Sequence, residues 1–214
     1  MSKYIIPTNQ HVFIAGRTGT GKSFLAKKYL SGYKNVVALD TKGFLPQDWT
    51  EPGPEDLTVI TKLGDIDKVK TSKIIYQPDL GEMNEDYYNA FFQWIYLRKN
   101  TIVWIDEVMS ICPTPYKIPF YYQGILTRGR QRNVAAWSLT QRPSGIPQII
   151  MSESSHFFIF DLNLPQDREK IVKVTGIEDF WEVPSKAGPA YNAYNFWYYN
   201  VMWDAAQLAR LEEK

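Results

Sequence analysis

The segment that most limits what this chain can fold into is Gly16-Arg17-Thr18-Gly19-Thr20-Gly21-Lys22-Ser23. It has the form G-x-x-x-x-G-K-S, and it follows the apolar run Val12-Phe13-Ile14-Ala15. A helical pattern continues from about Lys22 to Leu30. Such a loop works only between a buried strand and a helix, because its glycines must let backbone N–H groups curl around phosphate oxygens at the helix N-terminus. A strand, a tight loop and a helix in that order commit the chain to an α/β sheet with crossover helices. Within the loop, Lys22 would contact the β- and γ-phosphates and Ser23 Oγ would ligate Mg²⁺. Gly16, Arg17, Thr18, Gly19, Thr20 and Gly21 would serve through their backbone, with the side chains of Arg17 and Thr20 as filler.

The rest of the pattern agrees with a sheet covered on both faces. Val36-Val37-Ala38-Leu39, Ile74-Ile75-Tyr76, Thr101 to Ile105, Val134 to Leu139 and His156 to Phe160 read as buried strands. Residues 44–58, with Pro46, Pro52 and Pro54, read as loop. A helix is expected over Glu85 to Lys99, capped by Asn84, with Tyr88, Phe91, Phe92, Ile95 and Tyr96 as its apolar stripe. Further helices are expected over Phe120–Gln131, Asp167–Val174 and Asp204–Glu213, the last capped by Asp204. The aromatic run Tyr194 to Val201 reads as an edge or hairpin strand. Its rings, with Tyr191 and Trp203, would either pack on the core or form an interface. With 214 residues, residues 1–214 are expected to form one domain.

Composition matters mainly for what it removes. One cysteine, Cys112, and two histidines, His11 and His156, leave no disulfide framework and no zinc cluster. The start lacks the apolar core of a signal peptide, and no stretch makes a good membrane span, so a soluble protein is expected. The net charge of +1 predicts no polyanion by itself. That total conceals a basic middle: between Glu107 and Glu153 there is no acidic residue, while Lys117, Arg128, Arg130, Arg132 and Arg142 fall there.

A second chemical signal is Asp106-Glu107 at the end of the apolar strand Thr101–Ile105. Ligands of α/β sheets bind at the carboxyl ends of strands. Asp106 would hold the Mg²⁺ shell, and Glu107 would activate the attacking water, the role of a general base in hydrolysis. There is no D-x-x-G after this strand and no N-K-x-D anywhere, which favours adenine over guanine. Arg128 and Arg132, four apart, would share one helix face that could meet a neighbour's ATP or DNA phosphate. The strand from Val134 ends at Gln141, whose amide could sense the γ-phosphate.

Gly129-Arg130-Gln131-Arg132-Asn133, then a strand, then Thr140-Gln141-Arg142-Pro143-Ser144, resembles the FtsK–HerA superfamily of DNA-pumping ATPases. Asp40-Thr41-Lys42-Gly43 resembles the D-x-K-G element common there. The likeness spans about residues 10 to 175. The winged helix and membrane segments of the chromosome translocases are missing, so the chain looks like the small genome-packaging ATPases of double-stranded DNA viruses with internal membranes. This resemblance implies a RecA-like fold, ATP and Mg²⁺ as cofactors, a homo-oligomeric ring expected to be a hexamer, and double-stranded DNA in its pore. Lys117 to Tyr122 are candidates for pore contacts. It implies that Arg130 acts in trans as an arginine finger, with Arg128 and Arg132 as reserves, and that Gln141 is the sensor. Capsid or membrane-vertex proteins would be further partners, and the host cytoplasm or the packaging vertex the place of action. Two other classes fit the same loop: a protein-directed assembly, secretion or loader ATPase, and a small-molecule kinase.

Overall fold

The computed structural model describes residues 4–45, 49, 56–188 and 191–211. Nine strands form one sheet in the order β3-β4-β2-β5-β6-β1-β7-β8-β9. They are β1 (Val12–Ala15), β2 (Val36–Leu39), β3 (Leu57–Ile60), β4 (Lys73–Tyr76), β5 (Thr101–Ile105), β6 (Val134–Thr140), β7 (His156–Ile159), β8 (Asn195–Asn200) and β9 (Gln207–Arg210). Every pairing from β3 through β7 is parallel, and β8 and β9 close the sheet as an antiparallel hairpin. The fold class read from the sequence, a mostly parallel α/β sheet with an aromatic C-terminal hairpin, is the fold observed.

The helices are α1 (Lys22–Leu30), α2 (Glu85–Leu97), α3 (Phe120–Arg128), α4 (Ile149–Ser152), α5 (Pro165–Thr175) and α6 (Pro184–Ala187). None is long and apolar enough to cross a membrane among the described residues. Two apolar layers sandwich the sheet. On one face α1 packs Leu25, Ala26, Tyr29 and Leu30 against Val12, Ile14, Val36, Ala38, Trp104 and Trp137. On the other, Tyr88, Phe91, Phe92 and Ile95 of α2 pack with Tyr122 and Ile125 of α3 and with Phe13, Val37 and Val103. Alternate residues of a strand point to opposite faces, so central strands buried on both faces must be apolar throughout. The stripe expected on α2 is the face it buries, although Tyr96 is only half-buried. Asn84 caps the helix, its side-chain oxygen accepting from the N–H groups of Asp86 and Tyr87.

The C-terminal aromatics follow the same alternation. Trp197 and Tyr199 join one apolar layer, and Phe196 and Tyr198 the other. They are core residues of a strand flanked on both sides, whereas Tyr191 is exposed.

Three expectations fail. The closing helix expected over Asp204–Glu213 does not form in its described part, residues 204–211: Gln207–Arg210 is β9, paired antiparallel with β8, and Asp204 lies in the turn before it. Leu57 and Thr58, the end of the stretch assigned to a loop, instead begin the edge strand β3 on β4. Pro46, Pro52 and Pro54 lie outside the described residues, but Leu45 and Trp49 are buried in the α1-side layer. The helix from Phe120 ends at Arg128, and Gly129–Arg132 is a 3-10 turn, so Arg128 and Arg132 do not share a helix face. The break has a local cause. A side chain at Gly129 would run into the Val134 carbonyl oxygen, and Asn133 leaves the turn in the left-handed region at φ 55°.

Candidate nucleotide site

The glycine-rich loop leaves the end of β1 and enters α1, at the edge where β5 and β6 also end. Its path is held by the backbone. Gly16 donates to the Thr140 carbonyl (3.2 Å) and Arg17 to the Asp161 carbonyl (2.8 Å), tying the loop to the ends of β6 and β7. Gly16 passes so close to β7 that a Cβ there would sit 2.6 Å from Phe160 Cβ. Gly21 adopts φ 96°, and a Cβ on it would lie 2.5 Å from Leu211 of the C-terminal segment. Both positions therefore require glycine.

Helix α1 differs from α2 at its start. It has no side-chain cap and no acidic residue in its first turn. Its leading N–H groups and its dipole are left for an anion. Lys22 Nζ rests on the Arg17 carbonyl at 3.0 Å, inside the curl of the loop. Burial pulls the Lys22 ammonium down to a pKa of about 8, against the opposing charges of Glu107 and Asp106.

Ser23 Oγ donates to Asp106 Oδ1 at 2.7 Å, although the two residues are 83 positions apart. Burial raises the Asp106 pKa, and the Ser23 hydrogen bond opposes that rise. Hard oxygen donors this close, one of them a carboxylate, fit Mg²⁺, which would replace the hydrogen bond between them. Glu107 is buried next to Asp106; its Oε1 accepts from the Met109 N–H (3.4 Å) and its Oε2 from Lys42 Nζ (3.0 Å). A cavity of about 330 Å³ opens over these groups, lined among others by Thr18, Lys22, Ser23, Lys42, Asp106 and Gln141.

Gln141 reaches the loop itself: Thr18 Oγ1 donates to Gln141 Oε1 at 2.9 Å. The run Thr140 to Ser144 is a knot around this amide. Thr140 Oγ1 accepts from the Arg142 N–H, and the buried carboxylate of Asp167 takes the Ser144 N–H, the Ser144 hydroxyl and the Arg142 guanidinium. Arg17 is more than filler. Its guanidinium lies 3.7 Å from the Asp161 carboxylate and 3.4 Å from the Tyr191 hydroxyl.

The arginine segment lies elsewhere. Arg130 precedes β6, and Gln141 follows it. Seven residues separate the two ends, about 20 Å at roughly 3.3 Å per residue. Among the described residues, Arg128 and Arg130 are exposed and have no partner. Arg132 is different: it donates to the Leu97 carbonyl at 2.9 Å and lies over the Tyr96 ring. Arg132 is thus engaged within the chain where Arg128 and Arg130 are not.

Lys22, Ser23, Asp106, Glu107 and Gln141 thus converge, and Arg130 does not join them. Two residues were overlooked as participants, Lys42 and Asp40. The D-x-K-G spacing marked them, but that Lys42 would reach Glu107 depended on the adjacency of β2 and β5, which no local pattern reveals.

No protein-family model matches the chain. It is 28% identical over 199 residues to the DNA packaging ATPase P9 of Enterobacteria phage PRD1, covering 90% of this chain and 82% of that one. The chain resembles viral genome-packaging ATPases. Its fold overlays the genome packaging NTPase B204 of Sulfolobus turreted icosahedral virus 2, in the sulfate complex, with a TM-score of 0.76 at 19% identity, over 98% of this chain and 100% of that one. VirB4 of Thermoanaerobacter pseudethanolicus matches with a TM-score of 0.66 at 10% identity, over 95% and 90%. B204 has also been captured with AMPPCP and with ATP-gammaS. These likenesses show that the chain shares the fold of B204 and VirB4.

Proposed function

We propose that this chain is an ATP-hydrolysing motor that drives double-stranded DNA into a viral capsid. The observation that carries the reading is the convergence of Lys22, Ser23, Asp106 and Glu107 at one sheet edge, in a chain related along most of its length to a DNA packaging ATPase. Residues 1–214 act as one motor unit. Lys22 and the backbone of Gly16–Ser23 hold the phosphates of ATP; Ser23 and Asp106 would hold Mg²⁺, which would supply positive charge against the phosphates.

Glu107 orients a water against the γ-phosphorus. As the water oxygen bonds to phosphorus, its proton passes to the Glu107 carboxylate, and the bond to the ADP oxygen breaks with its electron pair. Gln141, held on Thr18, reads the terminal phosphate. Arg130 lies a full strand length from its own loop, so it serves the site of a neighbouring copy, and the working form is a ring, proposed as a hexamer around DNA. Capsid or vertex proteins are the docking partners in the infected host cell.

The test is steady-state ATP hydrolysis with and without linear duplex DNA, at low salt because phosphate contacts weaken steeply with ionic strength. Stimulation by DNA, lost in Glu107→Gln, is the expected result. Hydrolysis indifferent to DNA would favour a protein-directed motor instead, and transfer of phosphate to a small acceptor would favour a kinase.

A further inference from the structure

The glycine-rich loop is anchored differently at its two ends. At the β1 end the anchors are backbone hydrogen bonds, from Gly16 to the Thr140 carbonyl and from Arg17 to the Asp161 carbonyl. In the middle the space beside Gly19 is open, and a Cβ there would meet nothing within 4 Å. At the α1 end the backing is apolar and comes from far along the chain. A Cβ on Gly21 would have Leu211 Cδ1 at 2.5 Å, Tyr194 Cδ1 at 3.6 Å and Phe160 Cε1 at 3.9 Å as its nearest neighbours. Leu211 is buried, although no residue of β9 just before it is.

A chain of hydrogen bonds sets Leu211 in place. Its N–H donates to the Tyr194 carbonyl at 3.1 Å, which extends the pairing of β8 with β9 by one step. The Tyr194 N–H donates to Asn192 Oδ1 (2.9 Å), the Asn192 N–H to the Ser185 carbonyl (3.0 Å), and the Ser185 N–H to Asp161 Oδ1 (3.0 Å). The Asp161 carboxylate lies 3.7 Å from the Arg17 guanidinium, which also meets the Tyr191 hydroxyl at 3.4 Å. Tyr191 and Leu211 thus grip the loop at Arg17 and at Gly21, and Asp161 and Ser185 tie the two contacts together. Gly21 holds φ 96° and is followed at once by Lys22 and Ser23, which open α1. Their N–H groups can meet phosphate oxygens only if the turn keeps its angle. An apolar side chain behind the turn limits that angle without competing for the phosphate.

Resting on the reading of this loop as the phosphate cradle of ATP, we propose that Leu211 is a positioning residue for phosphate binding. It backs Gly21 from outside the cradle and holds the leading N–H groups of α1 in register with the phosphates. The C-terminal hairpin is thereby part of the nucleotide site as well as of the sheet. The experiment is calorimetric titration of the full chain with ADP and with inorganic pyrophosphate, both in Mg²⁺. Pyrophosphate isolates the cradle, because it carries phosphates and no nucleoside. The proteins are wild type, Leu211→Ala, Leu211→Met and Leu208→Ala, all held well below the lowest melting temperature. Leu208 of β9 packs in the opposite apolar layer from Leu211, so it reports loss of hairpin stability alone.

Leu211→Ala should weaken ADP and pyrophosphate by the same factor, about tenfold, roughly a third of the energy that deleting a packed leucine side chain costs. The KM for ATP should rise by a like factor, more than kcat falls. Leu211→Met, of similar volume, should restore the wild-type affinities. Leu208→Ala should lower the melting temperature and move neither affinity. Unchanged affinities in Leu211→Ala, or equal weakening in Leu208→Ala, would overturn the proposal. So would weakening of ADP alone, which would set Leu211 against the nucleoside. If Leu211→Ala does not fold, Leu211→Val carries the test, with about threefold weakening expected. Lys22→Ala distinguishes the two levels. Binding lost in Lys22→Ala but untouched in Leu211→Ala defeats only the positioning role; no binding by wild type, or binding unchanged in Lys22→Ala, defeats the ATP-site reading itself.

Discussion

The two ends of β6 are built in opposite ways. At the Gln141 end, the polar groups of the site have partners inside the chain: Gln141 on Thr18, Ser144 and Arg142 on Asp167, Ser23 on Asp106, Glu107 on Lys42. At the Arg130 end, the 3-10 turn Gly129–Arg132 projects Arg128 and Arg130 into solvent, and only Arg132 is engaged. A satisfied, buried polar cluster is a preorganised half-site. An exposed arginine with no partner among the described residues is available to a second chain. The contrast sets an internally satisfied candidate pocket at one end of β6 against an exposed arginine at the other, the charge proposed to complete a neighbour's site.

That contrast can be broken at its exposed end first. Arg130→Ala should lower kcat about 10³-fold, the scale of an arginine finger, with an unchanged melting temperature. Arg132→Ala should do the reverse. It loses the Leu97 hydrogen bond and its packing on Tyr96, costing about 1 kcal/mol, or a few degrees of Tm, with little change in kcat. A calorimetric melt and a steady-state assay on both variants check the assignment.

The buried end yields the next effect. Glu107→Gln should cut kcat about 10²-fold or more while nucleotide still binds, as single-turnover hydrolysis would read. The Lys22 ammonium gives a pH dependence of definite sign. Its pKa is pulled down to about 8 in the free protein, and bound phosphate, being anionic, must raise it. ATP should therefore bind most tightly below pH 8, weaken as pH rises through that value, and take up protons on binding near pH 8.5. Titration calorimetry in two buffers of different ionisation enthalpy measures the uptake. The smallest effect belongs to Asn133, whose φ of 55° is tolerable for asparagine: Asn133→Ala should cost about 1 kcal/mol of stability in a denaturant titration and leave kcat alone.

Legibility followed the same division. The strands of the central sheet are mostly apolar because both faces are covered, and such runs announce themselves, as Thr101–Ile105 and Val134–Thr140 did. The nucleotide pocket was readable because its geometry demands fixed spacing in Gly16–Ser23 and a carboxylate at a strand end. What local pattern could not provide was pairing. Gln207–Arg210 is polar, half-exposed and made of good helix formers, yet β8 recruits it as a strand. Tertiary context overrode its propensity. Leu57–Ile60 is a short edge strand with one buried residue of four, and its start adjoins the proline-bearing stretch, which masks it as loop. The 128–132 face was misjudged because a close approach, Gly129 against the Val134 carbonyl, ends the helix where periodicity alone would continue it. Lys42 meeting Glu107 required the β2–β5 neighbourhood, which is a property of the sheet order.

The most direct test of the account mixes two inactive proteins. Arg130→Ala subunits keep the pocket and lack the exposed arginine; Lys22→Ala subunits keep the arginine and lack the pocket. If the two edges of β6 complete each other between copies, mixtures should recover a fraction of wild-type ATP hydrolysis that peaks at an intermediate ratio. No recovery at any ratio, under conditions where the two proteins co-assemble, would contradict an arginine acting in trans.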